Sequence, residues 1–205
     1  MKIIGLCGGS GSGKTTASVV MESLGAAVID TDRVWHELCS PDSDSVRELA
    51  DEFGENIIAD DGGLDRSVLG ALVFANEDAR AKLNAISHRR IKEETVRRLN
   101  EYSAAGYIAA VVDAPLLFES GFDKMCCVTV GIIADREMRI ERIISRDGID
   151  RERAESRIAA QITDEELIRR CSYIIENDGD IDTLWERVVS LYKRIVSDDG
   201  GVDRH

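Results

Sequence analysis

The stretch "GLCGGSGSGKTT", residues 5–16, decides the fold of this chain. Gly8, Gly13, Lys14 and Thr15 satisfy the pattern G-x-x-x-x-G-K-[ST], with an apolar run before it and a helix-like segment after it. Glycines in an ordered loop lose much conformational entropy, which indicates that a ligand approaches the bare backbone closely. Backbone N–H groups of such a loop form a concave anion site at a helix N-terminus. The pattern therefore predicts a phosphate-binding loop.

Each residue of this loop receives a predicted role. The ammonium of Lys14 is expected to span the β- and γ-phosphates of a nucleoside triphosphate, and the hydroxyl of Thr15 to coordinate Mg²⁺. The alternative is a glycine-rich turn with a chance lysine. The predicted nucleotide contacts are Gly8, Gly9, Ser10, Gly11, Ser12, Gly13, Lys14, Thr15 and Thr16.

Length and composition predict an ordinary globular protein. The chain has 205 residues, of which 43% are hydrophobic and 32% are charged, and no apolar run approaches the roughly 20 residues that cross a bilayer. A secretory signal is not expected from the N-terminal sequence, so we predict a cytoplasmic location. The formal net charge of −13 opposes binding to nucleic acid or to an anionic membrane.

The five cysteines are odd in number and scattered. Most lie in apolar runs, so we expect buried thiols without a disulfide framework or a metal site. Cys126 and Cys127 are expected to point to opposite faces of a strand.

Short apolar runs alternate with helix-like segments along the chain. The runs do not alternate polar with apolar residues, which is typical of strands covered on both faces of a parallel sheet. The class is therefore α/β with right-handed crossovers. The predicted strands are residues 2–7, 26–30, 107–114, 126–133 and 172–177, and the predicted helices include 14–24, 76–103, 135–146 and 182–197.

Two segments are longer than a simple crossover between neighbouring strands requires. Residues 32–106 predict a helical insertion, with turns at "PDSDS" and "ADDGG". Residues 147–171 are highly charged and helix-like, which fits either a solvated helix pair or a mobile cover over an active site. The polar C-terminal end, residues 199–205, is expected to be disordered.

Five further segments, taken with the loop, resemble the dephospho-CoA kinase family from about residue 3 to about residue 180. They are "IDTDRVWHEL" (29–38), "LDRSVLGALVFAN" (64–76), "LNAISHRRI" (83–91), "DAPLLFESGFD" (113–123) and "RIISRDGIDRERAESRIAAQ" (142–161). The resemblance implies transfer of the γ-phosphoryl group of ATP to the ribose 3′-hydroxyl of dephospho-CoA, the last step of CoA biosynthesis.

The resemblance also implies an architecture. We expect one P-loop kinase domain over residues 1–198, with three layers and a parallel five-stranded sheet in the order 2-3-1-4-5. The core covers about 1–31, 107–135 and 172–198. A helical acceptor-binding insertion is expected at about 32–106, and a helical lid at about 136–171.

Three residues match catalytic positions of the family beside Lys14. Asp32 is expected to orient or accept the proton of the attacking hydroxyl, with a helix N-cap as the alternative. Arg142 and Arg146 match lid arginines that stabilise charge on the transferring group, with a solvated arginine face as the alternative. Arg139 stands where the family often has glutamine and is left outside the catalytic set.

The resemblance also gives candidate binding residues. Arg66, His88 and Leu116 are the candidates for the acceptor, and ordinary structural roles remain open for each. Asp113 holds a Walker-B-like position, either as a water-mediated partner of Mg²⁺ or as a strand-end cap. Asn177 is expected to use its amide against the adenine edge, unless it only forms a turn.

Several positions depart from the family pattern. Arg89 replaces a proline, Ser10 replaces an isoleucine, and Cys171 with Ser172 replaces an alanine-aspartate pair. Two rival hypotheses stay open, and the departures at Arg89, Cys171 and Ser172 bear on the second. One is a P-loop kinase acting on a nucleoside, a nucleotide or another small metabolite, and the other is a non-catalytic nucleotide-binding regulator. The expected partners are ATP and dephospho-CoA, and the expected state is a monomer or a weak homo-oligomer.

Overall fold

A computed structural model describes residues 1–197, and the expected disorder of residues 199–205 lies outside them. Five strands form one sheet in the order β2-β3-β1-β4-β5, which confirms the predicted order. The central strand β1 pairs in parallel with β3 and β4, and β4 pairs in parallel with β5. The strands are β1 (Lys2–Cys7), β2 (Ala27–Asp30), β3 (Ala109–Asp113), β4 (Val128–Ile133) and β5 (Tyr173–Glu176).

Nine α-helices occur in the described part of the chain, and many begin at the polar residues that favour helix N-termini. Asp65, Asp135 and Asp150, for example, each accept a hydrogen bond from a backbone N–H of the first turn of the helix that follows. The helices are α1 (Lys14–Ser23), α2 (Thr31–Leu38), α3 (Asp44–Phe53), α4 (Arg66–Ala75), α5 (Glu77–Ala104), α6 (Arg136–Asp147), α7 (Arg151–Ala159), α8 (Asp164–Arg170) and α9 (Ile181–Ser197).

The chain forms two compact units. The first unit comprises Met1–Ile29 with the chain from Glu101 onward, and the second comprises Asp30–Asn100. In the first unit, alternate residues of the strands, such as Ile4 and Leu6, pack against α1 and α9 in one apolar core. The residues between them are buried as well, as in β3, where all five residues are buried, and burial on both faces explains the apolar, non-alternating strand sequences.

The second unit has its own small core. Leu49, Ile57 and Leu69 are buried at its centre, and Trp35 and Phe53 pack against them. The predicted insertion therefore folds around apolar residues of α3 and α4 and of the short helical turn Glu55–Ile57.

The cysteine prediction is only partly right. Cys7 and Cys39 are buried and all five thiols are free, but Cys127 is exposed. Cys126 and Cys127 precede β4, which begins at Val128, and their orientation to opposite faces stays a prediction. Among the described helices, none has both the length and the apolar character needed to pass through a bilayer.

Candidate active site

The glycine loop joins the end of β1 to the start of α1, as the sequence predicts. Its backbone includes Gly11 at φ 77° and Gly13 at φ 100°, a region that side chains rarely tolerate. A Cβ atom at Gly13 would also collide with the amide nitrogen of Asn177. Gly13 is therefore required both by its own conformation and by a neighbour from the other end of the chain.

Lys14 and Asp113 meet beside this loop. The register of the sheet places Asp113, the last residue of β3, next to Leu6 of β1. The Lys14 ammonium forms an ion pair with a carboxylate oxygen of Asp113, and both side chains are largely buried. Thr15 follows in the first turn of α1 and is exposed. A cation, a carboxylate and a hydroxyl thus surround the start of α1, which is the donor set that a nucleotide with Mg²⁺ uses.

Asn177 braces the loop from the end of β5. Its side chain is 5% exposed, and its Nδ2 donates a hydrogen bond to the backbone oxygen of Ser12 at 2.7 Å. Arg142 of α6 donates from Nη1 to the backbone oxygen of Gly11 at 3.1 Å. These two hydrogen bonds hold the backbone carbonyls of the loop in place. The geometry gives Asn177 a structural role, and its contact with adenine stays a prediction.

Two polar residues of the loop environment were missed by sequence reasoning. Arg139 of α6 is 4% exposed and donates from Nε to the backbone oxygen of Ser10 at 3.0 Å. Gln161, in the turn between α7 and α8, accepts from the Ser10 N–H at 2.8 Å and donates to the Ser10 Oγ at 3.0 Å. The signal was present, because Ser10 and Arg139 are both polar departures from the family pattern.

An ion pair between a buried arginine and a half-buried aspartate extends this arrangement into α8. Arg139 Nη1 lies 3.2 Å from Oδ1 of Asp164, the first residue of α8. Burial lowers the pKa of the Arg139 guanidinium and raises the pKa of the Asp164 carboxyl, since both lose hydration. The predicted lid range is therefore connected to the loop through charged, largely buried groups.

Arg146 has different surroundings from Arg142. It is exposed, and its guanidinium makes two hydrogen bonds to Asp147 at 2.7 and 2.9 Å. Hydrogen bonds from Arg146, then from Arg157, hold the pKa of the Asp147 carboxyl at about 2. The catalytic role of Arg146 stays a prediction.

In the second unit, Asp30 is the N-cap of α2. Its carboxylate accepts hydrogen bonds from the backbone N–H groups of Asp32 at 2.9 Å and Arg33 at 3.1 Å. The N-cap role considered for Asp32 was wrong, because α2 begins at Thr31, two residues earlier than that role needs. Asp32 lies in the first turn and is exposed.

The other acceptor candidates also have defined surroundings. Arg66, the first residue of α4, hydrogen bonds to Nδ1 of His36 at 2.8 Å, while His88 is half-buried on α5. Arg89 forms ion pairs with Glu48 and Glu93, so its guanidinium has a structural partner within the second unit.

Leu116 belongs to the first unit, and it is 53% exposed beside the fully buried Leu117. It is the apolar candidate on the segment that follows β3.

A parallel sheet in this order, with a phosphate-binding loop between β1 and α1, defines a P-loop kinase. The sequence profile of dephospho-CoA kinase matches residues 2–183. The chain therefore belongs to the dephospho-CoA kinase family.

Individual relatives support this assignment. A dephospho-CoA kinase of Symbiobacterium thermophilum is 39% identical over 201 residues, covering 98% of this chain and 84% of the relative. The crystal structure of TT1252 from Thermus thermophilus superimposes with a TM-score of 0.78 at 29% identity, covering 98% of both chains. Dephospho-CoA kinase from Campylobacter jejuni gives a TM-score of 0.72 at 25% identity, covering 96% of this chain and 98% of that one.

Proposed function

We propose that this chain transfers the γ-phosphoryl group of ATP to the ribose 3′-hydroxyl of dephospho-CoA, giving CoA and ADP. The observation that carries the proposal is the Lys14–Asp113 pair beside a braced glycine loop, in a chain that belongs to this kinase family. We propose that the reaction takes place in the cytoplasm. We propose a monomer or weak homo-oligomer that does not use nucleic acid or membrane as a partner.

The loop and its neighbours act on the phosphates. ATP phosphates accept hydrogen bonds from loop N–H groups, and Lys14 exchanges its contact with Asp113 for the β- and γ-phosphate oxygens. Arg142, next to the Gly11 carbonyl, stabilises charge that spreads over the transferring oxygens. Arg146 of the predicted lid adds a second guanidinium.

The residues present fit a magnesium ion. Thr15 and Asp113 offer hydroxyl and carboxylate oxygens, the ligands that Mg²⁺ prefers, with nucleotide phosphates supplying others. Bound Mg²⁺ neutralises charge on the β- and γ-phosphates. Asp113 is buried at the end of β3, and we propose that it would contact Mg²⁺ through a water.

The acceptor is handled by a separate group of residues. Asp32 orients the 3′-hydroxyl and accepts its proton, which is the role the family pattern gives it. Arg66 and His88 contribute polar contacts to dephospho-CoA, and Leu116 contributes an apolar contact.

A coupled assay of ADP formation tests the proposal. ATP, Mg²⁺ and the full chain are combined either with dephospho-CoA or with adenosine, AMP and shikimate as alternative acceptors. We expect turnover with dephospho-CoA at least about 100-fold above turnover with the others, and a loss of about 100-fold or more in Lys14→Ala. Faster turnover with a nucleoside acceptor would point to the rival kinase, and ATP binding without turnover on any acceptor to the regulator.

A further inference from the structure

Two free thiols meet directly beside the phosphate loop. Cys7 is the last residue of β1 and precedes Gly8, and Cys171 follows α8 and precedes β5. Their sulfur atoms lie 3.4 Å apart, although the residues are 164 positions apart in sequence. Disulfides are rare and transient in reducing compartments, where such pairs serve as redox-responsive groups.

Gly131 of β4 explains why the two side chains can meet. It pairs with Cys7 on one side and with Ile174 on the other. A Cβ atom at position 131 would lie 3.0 Å from the Cys171 sulfur, tighter than ordinary packing allows. The missing side chain lets Cys171 cross over β4 and reach Cys7 of β1.

The two thiols differ in reactivity. A hydrogen bond from Cys7 lowers the pKa of Cys171, against the opposing effect of burial, and Thr129 lowers it further. The shared hydrogen bond and burial raise the pKa of Cys7. Cys171 is half-buried and Cys7 is 1% exposed. Cys171 is thus the thiol with both the thiolate character and the access to attack an incoming reagent.

We propose that Cys7 and Cys171 form a reversible modification site that takes a low-molecular-weight disulfide, such as oxidised glutathione. Cys171 loses its proton to solvent, and its thiolate attacks one sulfur of the reagent, breaking the S–S bond and releasing one thiolate that takes up a proton from solvent. The Cys7 sulfur then attacks the Cys171 sulfur of this mixed disulfide, and its proton goes to the second departing thiolate. Two protein thiols become one disulfide, while the reagent is reduced to two thiols.

A disulfide between Cys7 and Cys171 is expected to displace the phosphate-binding loop. The two sulfur atoms must approach each other by more than 1 Å to bond, and Cys7 is joined directly to Gly8. A displacement of about 1 Å near reacting groups can cost about 100-fold in rate. The disulfide is therefore expected to reduce phosphoryl transfer by about tenfold or more. This consequence rests on the proposed function, whereas the covalent site does not.

The experiment uses the full chain carrying Cys127→Ala, since exposed Cys127 reacts on its own. The protein is treated with oxidised glutathione, remaining thiols are alkylated at low pH, and non-reduced peptides are mapped by mass spectrometry. We expect a linked pair of peptides containing Cys7 and Cys171, which dithiothreitol separates. In the same background, Cys171→Ala removes the thiol that starts the reaction, and Cys126→Ala is the matched control at another half-buried thiol.

The outcomes separate the covalent claim from the kinetic one. Formation of the Cys7–Cys171 link in the Cys126→Ala protein but not in Cys171→Ala supports the site. An alkylated Cys7 with glutathione left on Cys171, or a link to Cys126, would overturn it. A link that leaves turnover unchanged would overturn the loop effect. A chain that turns over no acceptor, oxidised or reduced, would count against the proposed function alone.

Discussion

The side-chain oxygen of Gln161 accepts a hydrogen bond from the backbone N–H of Ser10 at 2.8 Å. That N–H belongs to the loop whose amides are predicted to bind phosphate, and Gln161 lies within the predicted lid. The amide oxygen and a phosphate oxygen are acceptors for the same donor. Nucleotide binding and release of Gln161 are therefore expected to be coupled.

The substitution Gln161→Ala tests this coupling. Removing the competing acceptor should make the free energy of ATP binding more favourable by about 1 kcal/mol. This change lowers the dissociation constant roughly fivefold. The turnover number should fall, because the predicted lid loses one of its contacts with the loop. Calorimetry with a non-hydrolysable ATP analogue and steady-state kinetics measure the two effects. Ser10→Ala is the matched control, because it removes only the Nε2–Oγ bond at 3.0 Å. Weaker nucleotide binding in Gln161→Ala would contradict the coupling.

Asn177 is expected to matter for both the loop and the fold. Asn177→Ala leaves the buried Ser12 carbonyl without its 2.7 Å donor, which should cost about 1–3 kcal/mol in the free energy of unfolding. ATP affinity should fall as well, because the loop is no longer fixed. Urea unfolding and calorimetry measure the two changes. Unfolding and binding curves that both match the parent chain would refute the bracing role.

Substitutions of Asp30 and Asp32 should affect different properties, one the stability of the fold and the other the rate of phosphoryl transfer. Asp32→Asn is expected to keep ATP affinity and to lose transfer by about 100-fold or more, since a general base typically contributes that much. Asp30→Ala should lower the free energy of unfolding by about 1 kcal/mol, because α2 loses its N-cap. Thermal unfolding and the coupled assay, applied to both variants, give the comparison. Unchanged turnover in Asp32→Asn would refute its assignment.

Glu94 provides a pH test within the second unit. Hydrogen bonds from Arg97, then Arg98, both at 2.7 Å, hold its pKa at about 2 against an ordinary value of 4.5. A lowered folded-state pKa means that Glu94 stabilises the fold above about pH 4.5, and that this contribution disappears as pH falls toward 2. The stability difference between the parent chain and Glu94→Gln should shrink over that range. Urea unfolding at several pH values measures it, and a constant difference would contradict the shift.

Much of the fold followed from local patterns. Apolar runs such as residues 2–7 and 126–133 placed the strands within a few positions, because strands buried on both faces leave a strong local signal. The glycine loop was equally clear, since its spacing is tied to one backbone shape.

The missed features depend on distant neighbours. The sequence analysis considered Asp32 as the N-cap of α2, whereas β2 ends at Asp30 and Asp30 caps the helix. The contacts of Arg139 and Gln161 with Ser10 join positions more than 120 residues apart, so no local pattern contains them. Cys127 looked like part of a strand because its neighbours are apolar, yet β4 begins one residue later.

The bond between Asn177 and Ser12 has a consequence for synthesis of the chain. These residues are 165 positions apart, so a ribosome completes β1 and the glycine loop long before Asn177 is synthesised and can bond to Ser12. During that interval Gly11 and Gly13 sample many conformations, so the nascent protein cannot yet hold a nucleotide firmly. The ability to bind ATP should consequently arise late, after β5 has joined the sheet, and not when the glycine loop itself is synthesised.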